Sequence, residues 1–131
     1  MKILIVDDMP AWREFHKNIL EEIFIEQEYQ IDLTCSAREG LEKLYENTQS
    51  PYNLIITDLQ MEDEFCPKYA GEWLVEQIKT LPSYKNSRVI ISSGAYNINH
   101  IAEVLNVECI PKRIACTDRE AYENIIINKQ V

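Results

Sequence analysis

Five polar side chains stand just past the ends of short apolar runs in this chain. Asp7 and Asp8 follow Ile3-Leu4-Ile5-Val6, Asp58 follows Leu54-Ile55-Ile56-Thr57, Ser93 follows Val89-Ile90-Ile91-Ser92, and Lys112 comes soon after Cys109-Ile110. Three carboxylates brought together repel one another unless a cation neutralises them. The set offers only oxygen ligands, and neither His16 nor His100 adjoins it in sequence, so Mg²⁺ or Mn²⁺ suits it better than zinc. A hydroxyl and a lysine ammonium beside such an ion can hold a phosphoryl group. Taken singly, Asp7-Asp8 reads equally well as a polar strand end that doubles as a helix-start signal. The ordered set carries the signal, not any one member.

For these groups to meet, the runs that carry them must be neighbouring parallel strands. Apolar, β-rich runs alternate with amphipathic segments along the whole chain, the signature of βαβ units with helices on both faces of a parallel sheet. Strands are expected at residues 2–7, 29–35, 53–58, 88–93 and 107–110. The first helix starts at about Pro10, with Trp12, Phe15, Ile19 and Ile23 at helical spacing. Ser36-Ala37-Arg38-Glu39 reads as a capping box for a helix to about Asn47, with Leu41, Leu44 and Tyr45 as its apolar stripe. Further helices are expected at residues 71–81 and 97–105. A last one is expected from the capping box Thr117-Asp118-Arg119-Glu120 to about residue 128. The pattern closes as α/β, a (βα)5 doubly wound parallel sheet. Strands one, three and four are continuously apolar and should be central, which gives the order 2-1-3-4-5 and a crevice outside the carboxyl ends of strands one and three.

Composition bounds the function. A chain of 131 residues is expected to fold as one domain, 1–131, burying roughly two thirds of its unfolded surface. Acids outnumber bases 22 to 13, a net charge of −9, which argues against direct nucleic-acid binding. The start is too short and too acidic for a signal peptide or a spanning helix, so a cytoplasmic location with no membrane contact is expected. Cys35, Cys66, Cys109 and Cys116 are irregularly spaced and are read as reduced thiols.

The segments Lys2-Ile3-Leu4-Ile5-Val6-Asp7-Asp8, Leu54-Ile55-Ile56-Thr57-Asp58-Leu59 and Val89-Ile90-Ile91-Ser92-Ser93-Gly94-Ala95, followed by Lys112, resemble the receiver domain of two-component response regulators. The resemblance spans essentially the whole chain and implies a flavodoxin-like receiver fold. It implies that Asp58 is the phosphoacceptor, that Asp8 and the Gln60 carbonyl ligate Mg²⁺, and that Asp7 acts largely through bound water. Ser93 and Lys112 would bind phosphoryl oxygens, with Ser93 preferred to Ser92 because the family's hydroxyl precedes a small residue, here Gly94. The implied partners are a histidine kinase or phosphotransfer protein and a downstream protein target, with the chain a monomer or weak dimer. The aspartyl phosphate would form in a phosphorelay, lose its phosphoryl group slowly, and make the chain a signalling phosphoprotein rather than a turnover enzyme.

Three departures from the family's pattern stand out. Lys112 is followed by Arg113 instead of proline, and a cis bond there would cost about 3 kcal/mol, so this loop is expected to be trans. Cys109 replaces the usual aromatic switch residue, which leaves Tyr96 or His100 as candidate substitutes. Residues 61–70 form a longer loop than usual after Asp58, in which Phe65 and Tyr69 beside an acidic triplet could act as a lid or docking surface.

Other readings compete. A receiver-like binding module that works without phosphorylation is the main one. A haloacid-dehalogenase-type phosphatase would place its acid pair last rather than first, and a flavodoxin-like electron carrier would find its flavin phosphate repelled by Asp7-Asp8.

Overall fold

The computed structural model describes residues 1–60 and 70–127. Five parallel strands, β1 (Lys2–Val6), β2 (Gln30–Thr34), β3 (Leu54–Thr57), β4 (Arg88–Ile91) and β5 (Glu108–Cys109), form one sheet in the order β2-β1-β3-β4-β5. That is the order expected from the hydrophobicity of the runs. The helices among the described residues are α1 (Pro10–Ile23), α2 (Ala37–Glu46), α3 (Ala70–Thr80), α4 (Ile98–Leu105), α5 (Lys112–Thr117) and α6 (Arg119–Ile127), with a 3-10 turn at Pro82–Tyr84. None is long and apolar enough to cross a membrane.

Alternation along the central strands builds both layers, because successive side chains of a strand point to opposite faces. Ile3, Ile5, Ile56 and Ile90 pack with Ile19 and Leu20 of α1 and with Tyr122 and Ile126 of α6. Leu4, Val6 and Ile55 pack with Ala37 and Leu44 of α2 and with Leu74 and Ile78 of α3. A third cluster joins Ile91 and Leu59 to Val75 of α3 and to Ile98, Ile101 and Leu105 of α4. Each such side chain contributes about 1.5–3 kcal/mol on burial, which fixes the register, since a one-residue slip would turn every strand inside out.

That register positions the polar groups. Val6 lies beside Thr57, and Thr57 beside Ile91. The next residues leave the sheet at the same edge, still laddered: Asp58 N–H donates to the Val6 carbonyl at 2.9 Å and Ser92 N–H to that of Thr57 at 2.9 Å. Beyond the two-residue β5, Ile110 N–H reaches the Ile91 carbonyl at 2.8 Å and Lys112 N–H the Ser93 carbonyl at 2.9 Å. Pro111 falls between these two donors, where an edge strand loses nothing by lacking an N–H. The ladder therefore carries Lys112 to the strand ends without a proline after it, and no peptide bond among the described residues is cis.

Several local expectations need correction. β5 is shorter than 107–110. The expected last helix is α6, and a further short helix precedes it: α5 begins at Lys112, and Thr117 ends it, its hydroxyl bonding back to the Arg113 carbonyl at 2.6 Å. Asp118 is the residue that caps α6, accepting from Ala121 N–H at 3.0 Å. Ser36 caps α2 as expected, accepting from Glu39 N–H at 3.1 Å. The Glu39 carboxylate, however, takes the Cys35 thiol at 2.9 Å. Tyr45 is exposed rather than part of the α2 stripe, because Ala37, Gly40 and Leu44 line the buried face and the next residue is turned about 100° away. Cys35, Cys109 and Cys116 are free thiols, as expected. The proposed lid, with Phe65, Tyr69 and Cys66, lies outside the described residues.

Candidate functional site

Asp7, Asp8 and Asp58 each offer a carboxylate oxygen within 4.8 Å of the others. Asp7 and Asp58 are buried and Asp8 is half-buried. The loop from β1 into α1 holds Asp7 firmly: its Oδ1 accepts from Met9 N–H at 2.9 Å, and its carbonyl accepts from Arg13 Nη1 at 2.7 Å. Asp58 is fixed by its own turn, Oδ1 accepting from Leu59 N–H at 2.7 Å and from Gln60 N–H at 3.3 Å.

Lys112 closes the cluster. Its Nζ donates to Asp58 Oδ2 at 3.1 Å and stands 3.0 Å from Asp7 Oδ2. The second contact is an ion pair by distance only: Asp7 Oδ2 lies off the hydrogen-bonding line and is buried without a hydrogen-bond donor among the described residues. Burial pushes the Asp58 carboxyl above the usual carboxylate range; Lys112 draws it back and Asp7 adds to the rise. A carboxylate made more basic in this way is a better nucleophile than a solvated one.

The donor set fits a hard divalent ion. Three formal negative charges face one ammonium, all the candidate ligand atoms are oxygens, and one buried oxygen still lacks a donor. Gln60 is exposed at the rim of this cluster.

Ser93 is buried beside the Lys112 backbone. Its Oγ accepts from Ala95 N–H at 3.1 Å, which leaves the hydroxyl proton to donate. Ser92 Oγ is buried too, with no hydrogen-bond partner among the described residues. Cys109, in place of the switch aromatic, is half-buried with its thiol donating to Asn99 Oδ1 at 3.2 Å; of the candidate substitutes, Tyr96 is 95% exposed and His100 is exposed.

The sequence placed Asp7, Asp8, Asp58 and Lys112 together and the coordinates do the same; four further residues at the site went unnoticed. Gly71 is one: a Cβ there would stand 1.8 Å from the Asp58 carbonyl oxygen, so only glycine lets α3 dock against the phosphoacceptor candidate's backbone. Arg13 is another, and its signal was a basic residue one turn into the helix that follows the acid pair. Trp12 places its ring 4.9 Å from Lys112 Nζ. His16 is buried and shares a 2.7 Å hydrogen bond with the Tyr122 hydroxyl, and burial, then the Lys112 charge, lowers its pKa to about 3. Helical spacing reads Trp12 simply as core.

The fold has many solved counterparts. The signal receiver domain of a DNA-binding response regulator from Colwellia psychrerythraea 34H aligns with a TM-score of 0.74 at 21% identity, covering 98% of this chain and 99% of that one. The phosphorylated cyanobacterial phytochrome response regulator RcpA aligns with a TM-score of 0.67 at 21% identity, covering 97% and 89%. The Mn²⁺-bound form of the response regulator Rcp1 aligns with a TM-score of 0.61 at 22% identity, covering 82% and 77%. No curated protein matches the sequence significantly. The response regulator receiver domain family matches residues 3–118, a span that includes all of the strands but Lys2 and the whole acid–lysine cluster, and the chain therefore belongs to that family.

Proposed function

We propose that Asp58 accepts a phosphoryl group from the phosphohistidine of a histidine kinase or phosphotransfer protein, and that residues 1–131, as one receiver domain, signal by protein–protein contacts. The observation that carries this reading is Lys112 Nζ set 3.0 and 3.1 Å from oxygens of two of the three clustered carboxylates. Oδ1 of Asp58 is held by two backbone N–H groups, so Oδ2, which faces Lys112, is the attacking atom. As its bond to phosphorus forms, the P–N bond breaks and the electron pair returns to the imidazole of the donor. Lys112 follows the charge onto the phosphoryl oxygens, and Ser93 donates its hydroxyl proton to one of them. Phosphoryl transfer depends mainly on such positioning and charge neutralisation. Asp7, Asp8, Asp58 and the Gln60 carbonyl would hold Mg²⁺ or Mn²⁺, Asp7 largely through water, and the ion would supply the remaining charge neutralisation.

The net charge of −9 favours protein partners over nucleic acid, in a cytoplasmic monomer or weak dimer with slow autodephosphorylation. Intact-mass spectrometry after incubation with Mg²⁺ and a small acyl phosphate tests the proposal. One phosphoryl group should be gained, and Asp58→Asn should prevent it. Cys109, which has no ring to swing, favours a second reading in which the chain binds its partner without phosphorylation. No mass gain in any donor mixture would support that alternative.

A further inference from the structure

Lys112 has one neighbour to which phosphoryl transfer, as described, gives no task. The ammonium is nearly shut off from water, 8% exposed for the residue, and among the described residues it makes one aligned hydrogen bond to a carboxylate, that to Asp58 Oδ2. Asp7 Oδ2 stands 3.0 Å from it, and the Trp12 ring, with its centroid 4.9 Å away, also lies against it. A cation within about 6 Å of an indole centroid is attracted by the negative face of the ring, more strongly when water is excluded.

The indole is itself held in place. Phe15 meets it edge-on at 5.0 Å and the His16 ring lies against it at 5.7 Å. His16 is tied across to α6 by its 2.7 Å hydrogen bond to Tyr122, a residue with no exposed surface. Kept neutral by burial, His16 presents no second cation to compete for the ring. A lysine is a point charge on a flexible stem, and two carboxylates attract it without fixing its direction. A braced π face adds that missing restraint.

We propose that Trp12 is a positioning residue for phosphoryl transfer: its indole face holds the Lys112 ammonium over the acid cluster, braced by Phe15, His16 and Tyr122. This rests on the phosphoacceptor function set out above.

The test combines rates with a position-sensitive signal. Phosphoryl uptake from a small acyl phosphate with Mg²⁺ is followed by intact mass in wild type, Trp12→Leu, Trp12→Phe, Lys112→Met and the Trp12→Leu/Lys112→Met double variant. Trp12→Leu should slow uptake about three- to tenfold, and Trp12→Phe, which keeps a ring face, should recover most of the rate. In the Lys112→Met background, Trp12→Leu should slow the residual rate no further. Equal slowing in both backgrounds would show that Trp12 only fills the core, and would overturn the proposal. NMR supplies a readout independent of uptake: the Lys112 ε-methylene protons should be shifted upfield by the ring in wild type and Trp12→Phe, and lose that shift in Trp12→Leu. An unshifted wild-type signal overturns the proposal. If wild type takes up no phosphoryl group at all, it is the phosphoacceptor function that has failed, and the ring-current shift alone decides whether Trp12 holds the ammonium.

Discussion

Asp58→Asn should stabilise the metal-free protein even though it removes the phosphoacceptor. At an effective dielectric of about 20, like charges 4.8 Å apart cost about 3–4 kcal/mol, while an ammonium 3.1 Å from Asp58 Oδ2 returns about 5 kcal/mol. Asp58 faces both Asp7 and Asp8, and Asp8 is partly solvated, so its share is reduced. Repulsion and attraction therefore nearly cancel, and burial decides the sign. The raised Asp58 pKa, with desolvation as its largest cause, points the same way. A folded-state pKa above the unfolded one means stability that is complete below the unfolded value and lost as pH rises through the folded one, so near neutral pH the ionised carboxylate is a cost. Replacing it with an amide of the same shape should gain roughly 1–3 kcal/mol, since Lys112 keeps Asp7 as a partner. For a domain of this size that raises Tm by about 4–10 °C. Thermal unfolding followed by circular dichroism, in EDTA and low salt near neutral pH, measures the difference. It should shrink as pH falls, because the wild-type carboxyl, held above the ordinary carboxylate range, takes up its proton on the way down. A variant that melts at or below wild type in EDTA would refute this account of the cluster.

Other outcomes follow from the same geometry. Gly71→Ala places a methyl 1.8 Å from the Asp58 carbonyl oxygen, so it should cost at least about 2 kcal/mol, and an unchanged Tm would contradict the close packing of α3. Mg²⁺ at a hundredfold excess over its Kd should stabilise wild type by about 2.7 kcal/mol, and Asp8→Asn should lose most of that gain in the same melting assay. His16 has its pKa lowered from 6.5 to about 3, so the unfolded chain binds the proton more readily; its contribution is complete above 6.5 and lost as pH falls towards 3. At about pH 4 wild type should therefore have lost roughly 3 kcal/mol that His16→Gln does not lose, which urea titrations of the two proteins at pH 7 and pH 4 will show. Arg88→Ala removes the guanidinium that bonds Glu108 and the Ile125 and Ile126 carbonyls, so hydrogen exchange should quicken at the end of α6 before it does in β1.

Much of this architecture was legible because one rule governed it. Ile3 to Val6, Leu54 to Ile56 and Val89 to Ile91 are apolar at consecutive positions, as a strand buried on both faces requires, so their central places and the convergence of Asp7 and Asp58 followed. Where local signals competed, the sequence misled. Thr117 and Glu120 have capping-box spacing, yet Asp118 sits one residue later and is the stronger cap. The run Lys112–Thr117 is too short, with too few apolar residues, to announce α5. Tyr45 looked like part of a stripe because it is large and apolar, but Gly40, whose missing side chain lets α2 approach Val6, marks the true buried face. Trp12, His16 and Tyr122 were hidden for a different reason. Their chemistry depends on contacts 100 and 106 residues apart in the chain, Trp12 with Lys112 and His16 with Tyr122, and periodicity carries no information at that range. Gly71 is similar, since its necessity shows only against the Asp58 backbone.

The most direct test of the central claim is to find where a phosphoryl group lands. After incubation with Mg²⁺ and a small acyl phosphate, borohydride reduction converts a phosphorylated aspartate to homoserine, and peptide mass mapping locates it. Homoserine at position 58, absent in EDTA, is the predicted result. Homoserine at another aspartate, or none at all in protein that folds and binds Mg²⁺, would contradict it.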